Sequence, residues 1–289
     1  MIALRHDEVV RTLGPDLAEL IAARGVAVAS ARDVTTLPAA RRVACAFRVE
    51  LMDGTRLKAR VMPTAARARE AAVLLASGGE WFPEVLGVRD RALLLEWVEG
   101  DVLTDPQPAT LRRCGAVLGG GHAHPIPAEL DAEARAALCE PDAFQARLEQ
   151  QAGALHRAGV LAAEVLRAAV DHAARRGDAD TSIGLAHGDL CAENLVWHPT
   201  RGPVSIDNGN LAVGHLDYDL ARTFYRWPLR AAERAAFLEG YATRRSPATF
   251  LREERFWMIC AIVVGATVQQ AFGGHELAAT LERLRAWVA

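Results

Sequence analysis

Three observations predict an α+β chain in two lobes, a small antiparallel-sheet lobe followed by a larger and mainly helical one. Residues 43–62 read as a β-hairpin, and short apolar runs at 84–88 and 92–98 read as two further strands. Beyond Gly100 the texture changes to long Ala, Leu and Arg segments with helical spacing. The expected boundary divides the chain into 1–98 and 99–289.

Each element has a local reason. Residues 7–24 carry apolar positions at helical spacing interrupted by Gly14-Pro15, which predicts a helix or a turn followed by a helix. Residues 43–52 (VACAFRVELM) are rich in β-formers, Asp53-Gly54 is a hairpin turn signal, and 55–62 (TRLKARVM) supplies the returning strand. An Ala-rich helix is expected over 64–77, closed by Gly78-Gly79. In the second lobe the periodicity predicts helices over 109–123, 127–139, 142–157, 160–176, 217–227, 231–243, 250–272 and 275–288. The segment 187–211 interrupts this pattern with two short β-like runs, 195–197 and 203–206, beside acidic and amide residues. That island is where chemistry is expected.

Composition excludes several function classes. With 289 residues, 51% hydrophobic and 24% charged, the chain can bury a full core. A net charge of -3 with both signs interspersed provides no basic field for a phosphate backbone, so nucleic acid is not expected as a partner. No apolar run of about 18 residues appears, and the opening MIALRHDEVV lacks the order of a secretory signal, so no membrane partner and a cytoplasmic location are expected. Five cysteines without a CxxC pair argue against a disulfide framework or a cysteine zinc site. Of 33 basic residues only Lys58 is lysine, which singles it out. Oligomeric state is not readable.

The densest constellation is His187-Gly188-Asp189-Leu190-Cys191-Ala192-Glu193-Asn194, followed 13 residues after Asn194 by Asp207 in Ile206-Asp207-Asn208. Read physically, this is a loop, a hairpin and a second loop, able to return Asp207 towards Asp189 and Asn194. Two carboxylates and an amide are the oxygen donors that a hard cation such as Mg²⁺ selects.

This pattern, HxDxxxxN followed by an apolar-Asp strand end, resembles the catalytic and metal-binding loops of the aminoglycoside phosphotransferase family, small-molecule kinases that share the protein-kinase-like fold. Gly214 to Ala221 (GHLDYDLA) resembles the family's downstream G…DLA segment. The resemblance implies an ATP- and Mg²⁺-dependent phosphotransferase acting on a hydroxyl of a small molecule. Asp189 would be the catalytic base, and Asn194 and Asp207 would hold Mg²⁺ against the nucleotide phosphates. His187 and Asp219 would brace the loop, while Asp217 and Glu193 read as solvated acids.

The first lobe should supply the nucleotide contacts. In the family a basic residue on the strand after the hairpin faces the phosphates, and a Glu on the next helix pairs with it. Lys58 and Arg60 share a strand face; Lys58 is preferred as the unique lysine, although the family register points to Arg60. Glu70 is the expected partner. Backbone around Glu96, Trp97 and Val98, where the lobes join, would face the adenine. The loop at 35–47 (TTLPAARRVACAF) departs from the family by lacking its glycine or Ser-Asn pair, leaving Arg41 and Arg42 as electrostatic substitutes and a non-catalytic nucleotide-binding module as an alternative.

The acceptor is the least determined part. An aminoglycoside or other antibiotic is the first expectation, and a metabolite alcohol of the sugar, choline or homoserine type is the second. Residues 246–289 show no acidic surplus, whereas 126–150 hold six acids against two arginines. Trp257, Gln269 and Gln270 are candidate contacts on a mainly apolar helix. Gly119-Gly120-Gly121 lacks the context of a phosphate loop and reads as close packing or a turn.

Overall fold

The Asp53-Gly54 turn closes as its sequence requires. Gly54 adopts φ +85°, Thr55 N donates to Asp53 Oδ1 at 2.9 Å, and strands β2 (Cys45–Leu51) and β3 (Arg56–Val61) pair antiparallel on either side. The computed structural model describes residues 3–35, 44–104, 106–130, 140–175 and 182–289. Arg41, Arg42 and most of the helix expected over 127–139 lie outside them.

The chain packs as two units, Met1–Val102 with Leu195–Gly209, and Leu103–Asn194 with Asn210–Ala289. The first break falls a few residues after the expected 98. The hairpin 195–209 joins the first unit because β6 (Asp101–Val102) pairs with β8 (Leu195–His198), which in turn pairs with β9 (Gly202–Ser205).

In the first unit, β1 (Val28–Asp33), β2, β3, β5 (Ala92–Glu96) and β4 (Val85–Arg89) form an antiparallel sheet in the order β1-β2-β3-β5-β4. Alternation along β3 turns Leu57 and Ala59 into a core with Val49, Leu51 and Leu94, and leaves Lys58 and Arg60 on the opposite face. Helices α1 (His6–Leu13) and α2 (Pro15–Ala22), separated at Gly14, cover that core with Val9, Leu13, Leu17 and Ile21. Helix α3 (Ala65–Ser77) starts at Thr64, whose hydroxyl accepts from Arg67 N at 3.1 Å.

The second unit is helical around α10 (Glu254–Phe272), whose residues from Phe256 to Val263 are all buried. By length and composition alone α10 could cross a membrane, which composition had not suggested. Its burial among α5 (Pro141–Arg157), α7 (Leu216–Arg226) and α11 (Leu277–Val288) accounts for its apolar sequence instead. The helix expected over 250–272 is broken at Glu253, with a short α9 (Ala248–Arg252) before α10. Helix α4 (Pro108–Ala123) crosses α8 (Ala231–Ala242) at backbone contact: a Cβ on Gly119 would stand 2.7 Å from the Tyr241 carbonyl oxygen. The triple glycine is therefore close packing within a helix. Helix α6 (Ala163–Ala174) and the strand pair β7 (Ile183–Ala186) and β10 (Ala212–His215) complete the unit.

Candidate active site

In the helical unit two strand ends place the Asp189 loop. Strand β7 runs into His187, and its antiparallel neighbour β10 runs into α7, so the first turn of α7 arrives under the loop. Asp219, 1% exposed, accepts from His187 N at 2.6 Å and from Gly188 N at 2.7 Å. Gly188 makes this bend with φ +76°, and a Cβ there would stand 3.1 Å from Asn210 Cβ. Asp219 also accepts from His122 Nε2 at 3.0 Å, and His122 Nδ1 meets the Tyr241 hydroxyl at 2.8 Å. Burial alone would push the Asp219 carboxyl up; the hydrogen bonds and charge of His122 and the Gly188 amide outweigh it and hold the group below its ordinary range. The expected brace is thus a buried chain, Tyr241, His122, Asp219 and loop backbone, extended by Asp189 N donating to His187 Nδ1 at 3.2 Å.

Asn194 Nδ2 donates to the Asp189 carbonyl at 2.8 Å, which folds the loop back on itself and leaves Asn194 Oδ1 unpartnered among the described residues. Asp189 Oδ1 accepts from Arg226 Nε at 2.8 Å and has Arg222 Nη2 at 3.6 Å, so Oδ2 is the oxygen left without a partner among the described residues. Neither arginine was expected from the sequence. The readable signal was helical spacing: Asp219, Arg222 and Arg226 stand at i, i+3 and i+7 on one face of α7. Asp217, expected as solvated, is 4% exposed; it receives the Thr249 hydroxyl at 3.1 Å, and burial raises its carboxyl. Trp257 is fully buried against His215, Phe144 and Phe256 and cannot touch an acceptor. Gln269 Nε2 donates to Glu276 at 3.4 Å.

In the sheet unit three basic residues hold the loop that carries Asp207. Lys58 Nζ donates to the Ile206 carbonyl, Arg60 Nη1 donates to Asp207 Oδ1 at 3.2 Å, and Arg67 Nη2 donates to the Gly209 carbonyl at 3.2 Å. Buried Asn208 and Ser205 lock the turn between them, side chain to side chain and side chain to backbone, each at 2.9 Å. Burial, with Arg60 nearby, pulls the Lys58 ammonium down to about 8. Lys58, Arg60 and Asp207 line a cavity of about 150 Å³ with Val34, Thr35 and Cys45. The Asp207 side chain is 53% exposed there.

The expected pairing of Glu70 with Lys58 is not formed. Glu70 Oε2 accepts instead from Arg67 Nη1 at 2.8 Å, one turn earlier on the same helix, because Lys58 is committed to the Ile206 carbonyl. Glu96 pairs with Arg201 at 2.6 Å, Trp97 lies under the Arg48 guanidinium at 5.1 Å, and Val98 is buried against Val196 and Val204. The sequence reading missed Arg67 and Arg201. A larger cavity of this unit, about 420 Å³ and bordered by Leu75, Phe82, Glu84 and Arg201, contains none of the expected site residues.

Taken unit by unit, the donors are of the kind a hard cation selects: in the sheet unit a half-exposed carboxylate at Asp207, and in the helical unit an Asn194 amide oxygen without a partner among the described residues.

Residues 34–254 match the phosphotransferase enzyme family, APH. The chain belongs to this family of small-molecule phosphotransferases acting on hydroxyl groups. No curated protein matches it in sequence. Among solved structures it is similar to an ethanolamine kinase of Plasmodium vivax (13% identity, 90% of this chain and 82% of that one, TM-score 0.66). It is also similar to a macrolide 2′-phosphotransferase of Brachybacterium faecium (19%, 98% and 98%, 0.61). A third is described as a putative fructosamine-3-kinase of Thermobifida fusca (22%, 94% and 98%, 0.58). These likenesses show the fold: the phosphotransferase has the protein-kinase-like architecture, with an antiparallel-sheet unit and a helical remainder.

Proposed function

We propose that this phosphotransferase moves the γ-phosphoryl group of ATP, with Mg²⁺, to a hydroxyl of a small molecule. The observation that carries the reading is Asp189: a carboxylate on a loop hydrogen-bonded to a buried brace, one oxygen tied to arginine and the other without a partner among the described residues. A base needs a fixed carboxylate with an accessible oxygen, and Oδ2 would accept or orient the proton of the attacking hydroxyl. The transition state of phosphoryl transfer asks the protein mainly for positioning and charge neutralisation. Bound Mg²⁺ would neutralise phosphate oxygens, and Asn194 Oδ1 and the Asp207 carboxylate are the ligands that would hold it.

For the phosphates we favour Arg60 over Lys58. Lys58 is half-buried and its ammonium serves the Ile206 carbonyl, whereas Arg60 already engages a carboxylate oxygen in the cavity that Asp207 lines. A guanidinium bound to carboxylate presents the same donors to phosphate. Glu96, Trp97 and Val98 stay the proposed adenine-facing segment. Arg67 assigns Glu70 an indirect role, orienting the guanidinium that holds the Gly209 carbonyl.

The acceptor classes to test are aminoglycosides and other hydroxylated antibiotics first, then sugars and amino alcohols. Purified protein with Mg²⁺ and ATP is assayed for a phosphorylated product across that panel. A product supports the reading and names the acceptor class. ATP binding without product or ADP formation on any acceptor favours a regulatory nucleotide-binding module.

A further inference from the structure

A second cavity in the helical unit, about 280 Å³, opens between the last turn of α7 and α11 and is lined by Tyr225, Arg226, Glu276, Ala279, Thr280 and Arg283. It has two properties that the catalytic loop alone does not explain. Arg226 borders the cavity and also donates from Nε to Asp189 Oδ1, so the cavity adjoins the proposed base through a single side chain. Its charge is also the reverse of what a polycation requires, since two guanidinium groups face one carboxylate.

The two arginines are fixed differently. Arg283 donates to the Tyr225 and Phe224 carbonyls at 3.0 and 3.3 Å and lies 4.9 Å from the Tyr225 ring centre, which locks a half-buried positive charge in the wall. Arg226 spends only Nε on Asp189; Nη2 has a 4.0 Å contact with Cys191 Sγ, and Nη1 has no partner among the described residues. A guanidinium with one edge anchored and the other edge unspent is a receptor for a carboxylate or phosphate oxygen. The Thr280 hydroxyl, 3.4 Å from the Tyr225 hydroxyl, adds a neutral hydrogen-bonding group suited to a polyol. One carboxylate, Glu276, balances one ammonium at most; a molecule with several ammonium groups would meet like charge on two sides.

Resting on the phosphotransferase reading above, we propose that this cavity is the acceptor pocket and that it selects a hydroxylated molecule bearing an anionic group. Arg226 binds the anion and steers the neighbouring hydroxyl towards Asp189 Oδ2. The class comprises hydroxy acids, including sugar acids and hydroxy amino acids, and hydroxylated phosphate esters. Arg226 is thereby a specificity-determining residue, and Arg283 supplies the fixed positive field.

The test compares phosphoryl transfer to matched acceptors: hydroxy carboxylates, their carboxamides, hydroxylated phosphate esters and an aminoglycoside. Nucleotide affinity and acceptor-independent ATP hydrolysis are followed in parallel. The expected result is a kcat/KM at least about tenfold higher for one anionic arm than for its neutral counterpart, the two arms separating carboxylate from phosphate. Arg226→Gln should raise KM for that acceptor about tenfold with the KM for ATP unchanged, abolish the preference over the carboxamide, and be partly rescued by Arg226→Lys. Equal use of acid and amide, or best use of the aminoglycoside, overturns the inference and leaves the kinase reading standing. Loss of nucleotide binding and hydrolysis in the parent protein overturns both.

Discussion

Asp189 and Asp207 are both carboxylates on short loops beside strand ends, yet they are held in opposite ways. The Asp189 loop hangs by two backbone amides on Asp219, which is 1% exposed and itself gripped by His122. Asp207 projects from its turn with a side chain 53% exposed and accepts from Arg60 at 3.2 Å. A base must be in place before the substrate arrives, and buried, charge-assisted hydrogen bonds supply that pre-organisation. In its proposed role as a metal ligand Asp207 would exchange partners on each cycle, and a carboxylate that is half exposed can do so while keeping contact with water.

The contrast breaks most severely at Asp219. Asp219→Ala leaves two amides and a histidine facing a buried void and should cost about 3–5 kcal/mol of stability, read by urea unfolding. Asp207→Ala should by contrast leave the unfolding midpoint nearly unchanged, while weakening nucleotide binding at least about tenfold in Mg²⁺ and little in EDTA. Equal destabilisation by the two substitutions would remove the distinction. Arg60→Gln should weaken nucleotide binding by about tenfold, and Lys58→Met by less than about threefold, in a titration with ATP analogue; the reverse order would return the phosphate contact to Lys58.

The smallest effect concerns His215, which caps α7 by accepting from Asp217 N at 3.2 Å. Burial, with Arg245 and His122 nearby, lowers its imidazole to about 4, below the ordinary 6.5. Because the folded form resists the proton that the unfolded form accepts, this contribution is complete above pH 6.5 and is lost as pH falls towards 4. The loss should be about 1 kcal/mol between pH 7 and 5.5. His215→Asn, which keeps a capping acceptor, should flatten that part of the stability profile.

What the sequence made legible follows from local signals. The hairpin at Asp53-Gly54, the Thr64-capped helix α3 and most helices of the second unit carry their own turn, cap or period. Strand β1 did not, because VASARD is an edge strand with four half-exposed or exposed residues and no alternation to read. Strands β7 and β10 are four residues each, too short for a period. At the site, the motif marked the loop and Asp219, but alternation could not separate Lys58 from Arg60, since both occupy one strand face. The destination of each side chain, Ile206 carbonyl or Asp207 carboxylate, is set 147 or more residues away along the chain. Asp217 was read as solvated for the same reason: its burial depends on Thr249 from another helix.

The decisive test is a paired measurement on the parent protein and Asp189→Ala: turnover with ATP, Mg²⁺ and a hydroxyl acceptor that the parent protein phosphorylates, beside the Kd for the nucleotide. The account predicts that turnover falls about 10³-fold while the Kd changes by less than about twofold, because Asp189 handles the hydroxyl proton and not the nucleotide. Turnover that survives the substitution, with the acceptor phosphorylated at the parent rate, would contradict it.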